Sequence, residues 1–142
     1  MSSYEYCVSL RVTHPDIDPN KITKALGIKP FRSWRAGEPR VSPKGTPLEG
    51  VSKESFWAAH THKEKRLLSE NIYLEDYISQ FNKRLQPYAS FFEELVNSGG
   101  YIEYFVGWFS ENNVGATFEP SLMKETSALN IAIGLDVYVS EE

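Results

Sequence analysis

Cysteine is almost absent from the 142-residue chain, where Cys7 is the only one. A single cysteine excludes an internal disulfide, and within a strand it is usually a small buried side chain rather than a catalytic thiol. Apolar runs such as YFVGWF at 104–109 are far shorter than a membrane span. The first residues, MSSYEYCV, have neither a basic start nor an apolar signal core. We therefore expect a cytoplasmic protein that does not enter membranes.

The motifs of common catalytic sites are missing as well. The sequence has no Gly-x-Ser-x-Gly elbow and no His-Glu-x-x-His pair. The segment GTPLEG at 45–50 continues with Val51 and Ser52, where a phosphate-binding loop needs Lys followed by Ser or Thr. His60 and His62 are only two possible zinc ligands, so the polar end of a strand is the better interpretation. We predict no catalytic residue, no metal and no cofactor.

Length and composition are those of one globular domain spanning residues 1–142. Hydrophobic residues make up 41% of the chain and charged residues 24%, which is enough apolar surface for a packed core. No repeat or linker divides the chain. We therefore predict a single domain.

Alternation and helical spacing predict the elements of this domain. Residues 4–12 alternate as a strand, and Asp18, Pro19 and Gly27 provide the N-cap, the first turn and the stop of a short helix. The later elements are a strand at 55–62, a pair of helices before Gly99, a strand at 101–110, a hairpin turn into a strand at 114–119, a short helix at 120–129 and a last strand at 131–139. The order is β-α-β-α-α-β-β-α-β.

This order indicates an α+β fold with a single, mostly antiparallel sheet of about five strands and helices packed on it. Both ends of the chain read as strand, helix, strand, so an arrangement related to ferredoxin-like folds is one candidate. The order of the strands within the sheet does not follow from the sequence. Periodicity assigns Trp57 and Phe81 to the core.

Residues 28–54 are predicted to form a long irregular arm. Four prolines and three glycines exclude a continuous helix or central strand there, and loops of this length are usually functional or disordered. The arm has six basic residues against three acidic ones, a net charge of +3. Since the whole chain carries −4, the remaining residues carry −7.

Several of these features together resemble a known family. They are the N-terminal strand, the segment DPNKITKALGIKPFRSWRAGE at 18–38, Trp57 in the second strand, two helices ending in glycine, and a strand-turn-strand. The chain resembles the bacterial domain-of-unknown-function family 4279 over nearly its whole length, most specifically in LGIKP at 26–30 and in Gly37-Glu38. The resemblance implies a small bacterial α+β protein with no assigned reaction, and it adds no catalytic residue.

Aromatic and arginine side chains alternate in the arm and make it the first candidate binding surface. The candidates are Phe31, Trp34, Arg35, Glu38 and Arg40. This composition fits stacking on nucleic-acid bases, and it equally marks the hot spots of protein interfaces. The net charge of −4 favours a protein partner over nucleic acid, which normally binds a basic module. An equal alternative is that Phe31 and Trp34 fold back to cap the core.

The sheet offers an alternative surface at Glu103 and Asp136. With Glu5 they can converge on one face as carboxylates for acid-base work, or be solvated or paired with Arg11. The leading interpretation is a non-enzymatic module that binds another protein, for example an immunity-type antagonist of a toxin. The alternative is a small-ligand binder or an enzyme that uses this aromatic and acidic face.

Overall fold

A computed structural model describes residues 3–139 as one open mixed sheet, a separate two-stranded hairpin and four α-helices. The strands are β1 (Glu5–His14), β2 (Arg32–Trp34), β3 (Pro39–Val41), β4 (Pro47–Val51), β5 (Ser55–His60), β6 (Leu67–Leu68), β7 (Tyr101–Ser110) and β8 (Ile131–Val139). The helices are α1 (Pro19–Leu26), α2 (Leu74–Leu85), α3 (Ala89–Asn97) and α4 (Pro120–Ala128), and one 3-10 turn, Gln86–Tyr88, joins α2 to α3. The predicted α+β class is confirmed.

Strand β1 lies at the centre of the sheet, whose order is β2-β5-β1-β7-β8. It pairs antiparallel with β5 on one side and with β7 on the other, and β6 adds a two-residue pairing at its start. Strands β7 and β8 are parallel, and α4 connects them. The last strand-helix-strand segment is therefore a true parallel βαβ unit, whereas β1 and β5, joined in part by α1, are antiparallel.

The core lies between one side of this sheet and the helices. In β1 the alternate residues Tyr6, Val8, Leu10 and Val12 are at most 2% exposed, as the alternation predicts. Apolar residues of all four helices join them in one cluster. The ring of Phe81 in α2 meets Tyr104 of β7 edge to face, with 6.2 Å between the centroids.

Helix α1 begins and ends where the sequence predicts. The side chain of Asp18 accepts a hydrogen bond of 3.0 Å from the amide of Asn20, so it caps the first turn. Gly27 has a φ of 67° and its amide donates to the carbonyl of Thr23, which closes the last turn in the left-handed conformation that glycine tolerates best.

The strand predicted at 114–119 is wrong. That segment has no strand structure, and Val114 and Phe118 pack from it against the core. The physical reason is the position of β7, which is hydrogen-bonded to β1 on one side and to β8 on the other. No edge of β7 is left for a hairpin partner, and this long-range pairing is invisible in the local sequence.

The arm is more regular than the sequence predicts, because it contains β2 and the β3–β4 hairpin. Two prolines that argue against strand structure, Pro39 and Pro47, stand at the first residues of β3 and β4. A first position in a strand tolerates proline because its missing N–H breaks no central ladder. Gly45, with a φ of 89°, makes the turn between the two strands.

Two core aromatic residues should carry a large part of the stability. Trp57 is fully buried, and its indole N–H donates to the Oγ1 of Thr23 at 3.0 Å, while Phe81 is 5% exposed. We expect Trp57→Ala and Phe81→Ala each to lower the free energy of unfolding by about 3–5 kcal/mol, measured by urea denaturation. Met123→Ala is the control, since Met123 is 52% exposed on α4. A loss below about 1 kcal/mol in either core variant would contradict the assignment.

Candidate functional site

In the described part of the chain, the helices cover one side of the sheet and leave the other side open. Strand residues that point away from the helices are absent from the core cluster, and many of them are half-buried or exposed. We call this side the open face. It is formed by outward residues of five strands: Arg32 and Trp34; Phe56, Ala58 and His60; Glu5, Cys7, Ser9, Arg11 and Thr13; Tyr101, Glu103, Phe105 and Phe109; and Ala132, Asp136 and Tyr138.

Strand register arranges the open face in rows that cross the sheet. One row runs through Arg32, Ala58, Arg11, Glu103 and Ala132, from β2 to β8. The next row runs through Trp34, Phe56, Thr13 and Tyr101. A charged row therefore lies beside an aromatic row, and the two alanines leave space for the long side chains next to them.

Three arginines lie over aromatic rings around this surface. The guanidinium of Arg11 is 3.8 Å from the ring centroid of Phe105, and that of Arg66 is 3.7 Å from Phe109. Arg32 lies 4.8 Å from the ring of Trp34. Each contact joins a cation to the negative face of a ring, which shields the ring from water and keeps the charge at the surface.

Arg11 is held by stacking rather than by an ion pair. Register places Glu103 directly opposite it, yet no contact within 4.0 Å joins their charged groups, and the Nε of Arg11 has no hydrogen-bond partner among residues 3–139. The carboxylate of Glu103 lies instead over Gly134, whose missing side chain gives it room, because an added Cβ would lie 2.5 Å from Oε2. Of the two alternatives for this carboxylate, solvation or pairing with Arg11, the pairing is not formed.

Aromatic stacking continues the surface to both edges of the sheet. Phe31 stacks on His60 with 4.3 Å between centroids, and Trp34 stacks on Phe56 at 4.6 Å. At the other edge, the ring of Tyr138 stacks nearly parallel on the ring of Phe109, which also lies under Arg66. Phe31 and Tyr138 are each 48% exposed. Neither Phe31 nor Trp34 belongs to the core cluster, so they do not cap the core.

Four of the five predicted arm residues come together. Phe31, Trp34, Glu38 and Arg40 line a cleft of about 790 Å³ between β2 and the β3–β4 hairpin. Arg35 points away from this cleft. Its Nε donates to the carbonyl of Asp16 at 3.3 Å, and its Nη1 lies 3.9 Å from the carboxylate of Asp18, the N-cap of α1. The arm and the sheet, predicted as separate surfaces, meet on one side of the molecule.

Glu103 and Asp136 are both on the open face but are not direct cross-strand partners. Register sets Glu103 opposite Ala132, four residues before Asp136 on β8, which corresponds to about 13 Å along the strand. Asp136 accepts a hydrogen bond of 2.6 Å from the hydroxyl of Tyr138, and this bond raises the pKa of the tyrosine. The hydroxyl of Tyr138 therefore holds the carboxylate of Asp136, whereas the carboxylate of Glu103 lies over Gly134.

The two histidines considered as metal ligands face different surroundings. His60 is exposed and stacks with Phe31 on the open face. His62 uses Nε2 to accept from the amide of Val8 at 3.0 Å, while its Nδ1 lies 2.8 Å from the carbonyl of Glu64. Residues 3–139 contain no group of three His, Cys, Asp or Glu side chains that is arranged to hold a metal ion.

Comparison with protein-family models assigns the chain to a family. The model of a domain of unknown function, DUF4279, matches residues 3–140. The chain belongs to the DUF4279 family. This confirms the resemblance seen in the sequence, while no curated protein and no solved structure matches the chain. Within residues 3–139 of this DUF4279 domain, every helix is too short or too polar to cross a membrane.

Sequence reasoning missed the arginine-on-ring contacts of the DUF4279 chain. Arg11 and Phe105 belong to strands that were each predicted, and both point outward by alternation. Their contact depends on the antiparallel register of β1 and β7, which pairs Ser9 with Phe105 and sets Arg11 beside it. The local pattern predicts toward which side of the sheet each side chain points, but it does not predict which residue lies next to it on the neighbouring strand.

His62 should make the stability of the DUF4279 chain depend on pH. Burial lowers its pKa below the ordinary value of about 6.5, so the unfolded chain binds the proton more tightly. The stability it contributes is complete above about pH 6.5 and is lost as pH falls through the lowered folded pKa. We expect the urea midpoint to fall between about pH 7.5 and pH 5, and to fall less in His62→Gln.

The matched control for this experiment is His60→Gln, which changes an exposed histidine two residues away. It should keep the full fall in midpoint of the unmodified chain. Equal falls in all three proteins would show that another group produces the pH dependence.

Proposed function

We propose that this chain is a bacterial, cytoplasmic, non-enzymatic module that binds another protein through the open face. The observation that carries the proposal is the large sheet surface, rich in arginine and aromatic side chains, that none of the helices within residues 3–139 covers. A sheet that buries only one side normally presents polar alternation on the other. Here the outward positions hold Phe56, Phe105, Phe109, Tyr101 and Tyr138.

The composition of the open face matches the energetic centre of protein interfaces. Arginine and the large aromatic residues are enriched at hot spots, where they bury much area for few rotatable bonds. The rings are also fixed before binding, because Phe31 stacks on His60 and Arg11 lies on Phe105. Side chains held in place in the free protein lose less entropy on association.

Charge distribution favours a protein partner over a nucleic acid. Arg11, Arg32 and Arg66 lie close to Glu5, Glu103 and Asp136, so both signs are present on the same surface. Phosphates along a nucleic-acid strand would meet these carboxylates, and the whole chain carries −4. A protein surface of mixed charge can complement both signs.

A toxin antagonist is the narrower form of this proposal. A compact acidic domain of 142 residues can block an active site without catalysing a reaction, as immunity proteins do. This form adds one requirement, that the bound protein is itself an enzyme. Its test is the inhibition of that enzyme by one molar equivalent of the chain.

The binding prediction is that two open-face variants lose a partner that a matched control keeps. Partners are captured from the native host, and affinity and off-rate are measured with the purified partner. We expect Phe31→Ala and Arg11→Gln each to weaken binding by about thirtyfold, mainly through the off-rate, because thirtyfold corresponds to about 2 kcal/mol at a hot spot. Thermal melting verifies that both variants fold.

Tyr73→Ala is the matched control, since Tyr73 is 58% exposed at the start of α2, on the helical side. It should bind as the unmodified chain does. A loss in Tyr73→Ala with no loss in the open-face variants would place the site elsewhere. Salt-sensitive binding of a single-stranded oligonucleotide, abolished by Arg11→Gln, would instead assign the face to nucleic acid.

A further inference from the structure

Strand β8 is the longer and less protected of the two edges of the sheet. It has nine residues, Ile131–Val139, whereas β2 at the opposite edge has three. Proteins usually blunt an edge by shortening it or by placing lysine or proline on it. The sequence of β8, IAIGLDVYV, contains neither. Within residues 3–139 no strand pairs with its outer side, so a row of backbone donors and acceptors faces outward.

Apolar side chains accompany this free edge on the helical side. Ile131 is 5% exposed, but Leu135, Val137 and Val139 are 51%, 52% and 70% exposed. A groove of about 530 Å³ separates the last part of β8 from the loop at 111–119. The helices therefore cover the beginning of β8 and leave an apolar row along its second half.

We propose that β8 pairs antiparallel with β8 of a second copy of this chain, with Leu135 on the two-fold axis. In this register, each residue lies opposite the residue of the second copy whose number, added to its own, gives 270. The inner row then becomes Ile131 with Val139, Ile133 with Val137, and Leu135 with itself, so it is apolar throughout. The proposal rests on β8 and is independent of the proposed function.

Charge and length select this register over its neighbours. If the strand of the second copy slid by one residue, each inner side chain would lie opposite an outward-facing side chain of the other copy. The neighbouring registers that keep the faces matched are therefore those centred on another residue of β8. A centre at Asp136 would place two carboxylates directly opposite each other, which is destabilising. A centre at Leu135 sets Asp136 opposite Gly134, which has no side chain, and it pairs all nine residues.

The area of the contact indicates a weak, reversible dimer. Nine residues at about 3.3 Å each give an edge of about 30 Å, and a layer about 10 Å thick then buries about 300 Å² on each copy. The total of about 600 Å² is below the 1,200 Å² or more of stable interfaces. We therefore expect the dimer to form only at high concentration, and the two open faces to lie on the same side of the joined sheet.

Disulfide cross-linking tests the register. Directly opposite residues of antiparallel strands have Cα atoms about 4.5–5.5 Å apart, which a disulfide can span. We expect Leu135→Cys, made with Cys7→Ala, to give a covalent dimer under mild oxidation. The same background with Val137→Cys should not, because positions 137 of the two copies lie about 13 Å apart. Met123→Cys, equally exposed on α4, is the second control.

Sedimentation tests the dimer without a cross-link. The mass of the unmodified chain should rise with concentration, and Val137→Lys should abolish that rise by placing a charge in the apolar row. Met123→Lys, at a position equally 52% exposed, should keep it, and thermal melting verifies that both variants fold. A monomer at all concentrations up to about 1 mM overturns the proposal and leaves the edge to a strand of another protein. Equal cross-linking at positions 135 and 137 overturns the register.

Discussion

The pairing of β1 on both of its sides is the constraint on which the rest of the structure depends. Because β1 is hydrogen-bonded to β5 and to β7, its alternation becomes the alternation of the whole sheet. Tyr6 and Leu10 turn toward the helices and are fully buried, and Arg11 turns the other way. Every outward residue of the neighbouring strands is then aligned with an outward residue of β1, which forms the rows of the open face.

The open face exists because the helices pack on only one side of the sheet, and stacked arginines shield its aromatic rings from water. An aromatic ring facing water loses the favourable transfer free energy that burial would give. A guanidinium on an exposed ring shields the ring from water while its own charge can stay hydrated, as with Arg66 on Phe109. Arg11 covers Phe105 in the same way, although its Nε is buried. The same side chains that shield the rings are those that a partner would contact first.

The features predicted from the sequence are local, and those it missed depend on pairing. Asp18 and Gly27 bound α1 as predicted, because capping is decided within one turn of helix. The strand predicted at 114–119 is wrong because β8, which follows only after α4, occupies the free edge of β7. For the candidate site, the residue types in the arm were recognised, but their joining to Glu103 and Asp136 on one face required the strand order.

The two sheet edges differ because of how the chain reaches them. Strand β2 precedes an exposed hairpin, and its three residues leave little edge to protect. Strand β8 follows a crossover through α4, and a parallel strand placed this way runs beside the full length of β7. Such a strand leaves a row of free backbone N–H and C=O groups along its whole outer side. Asp136 is the one charged residue within β8 that can discourage pairing there. Topology thus places the least protected backbone of the sheet next to its most exposed apolar row.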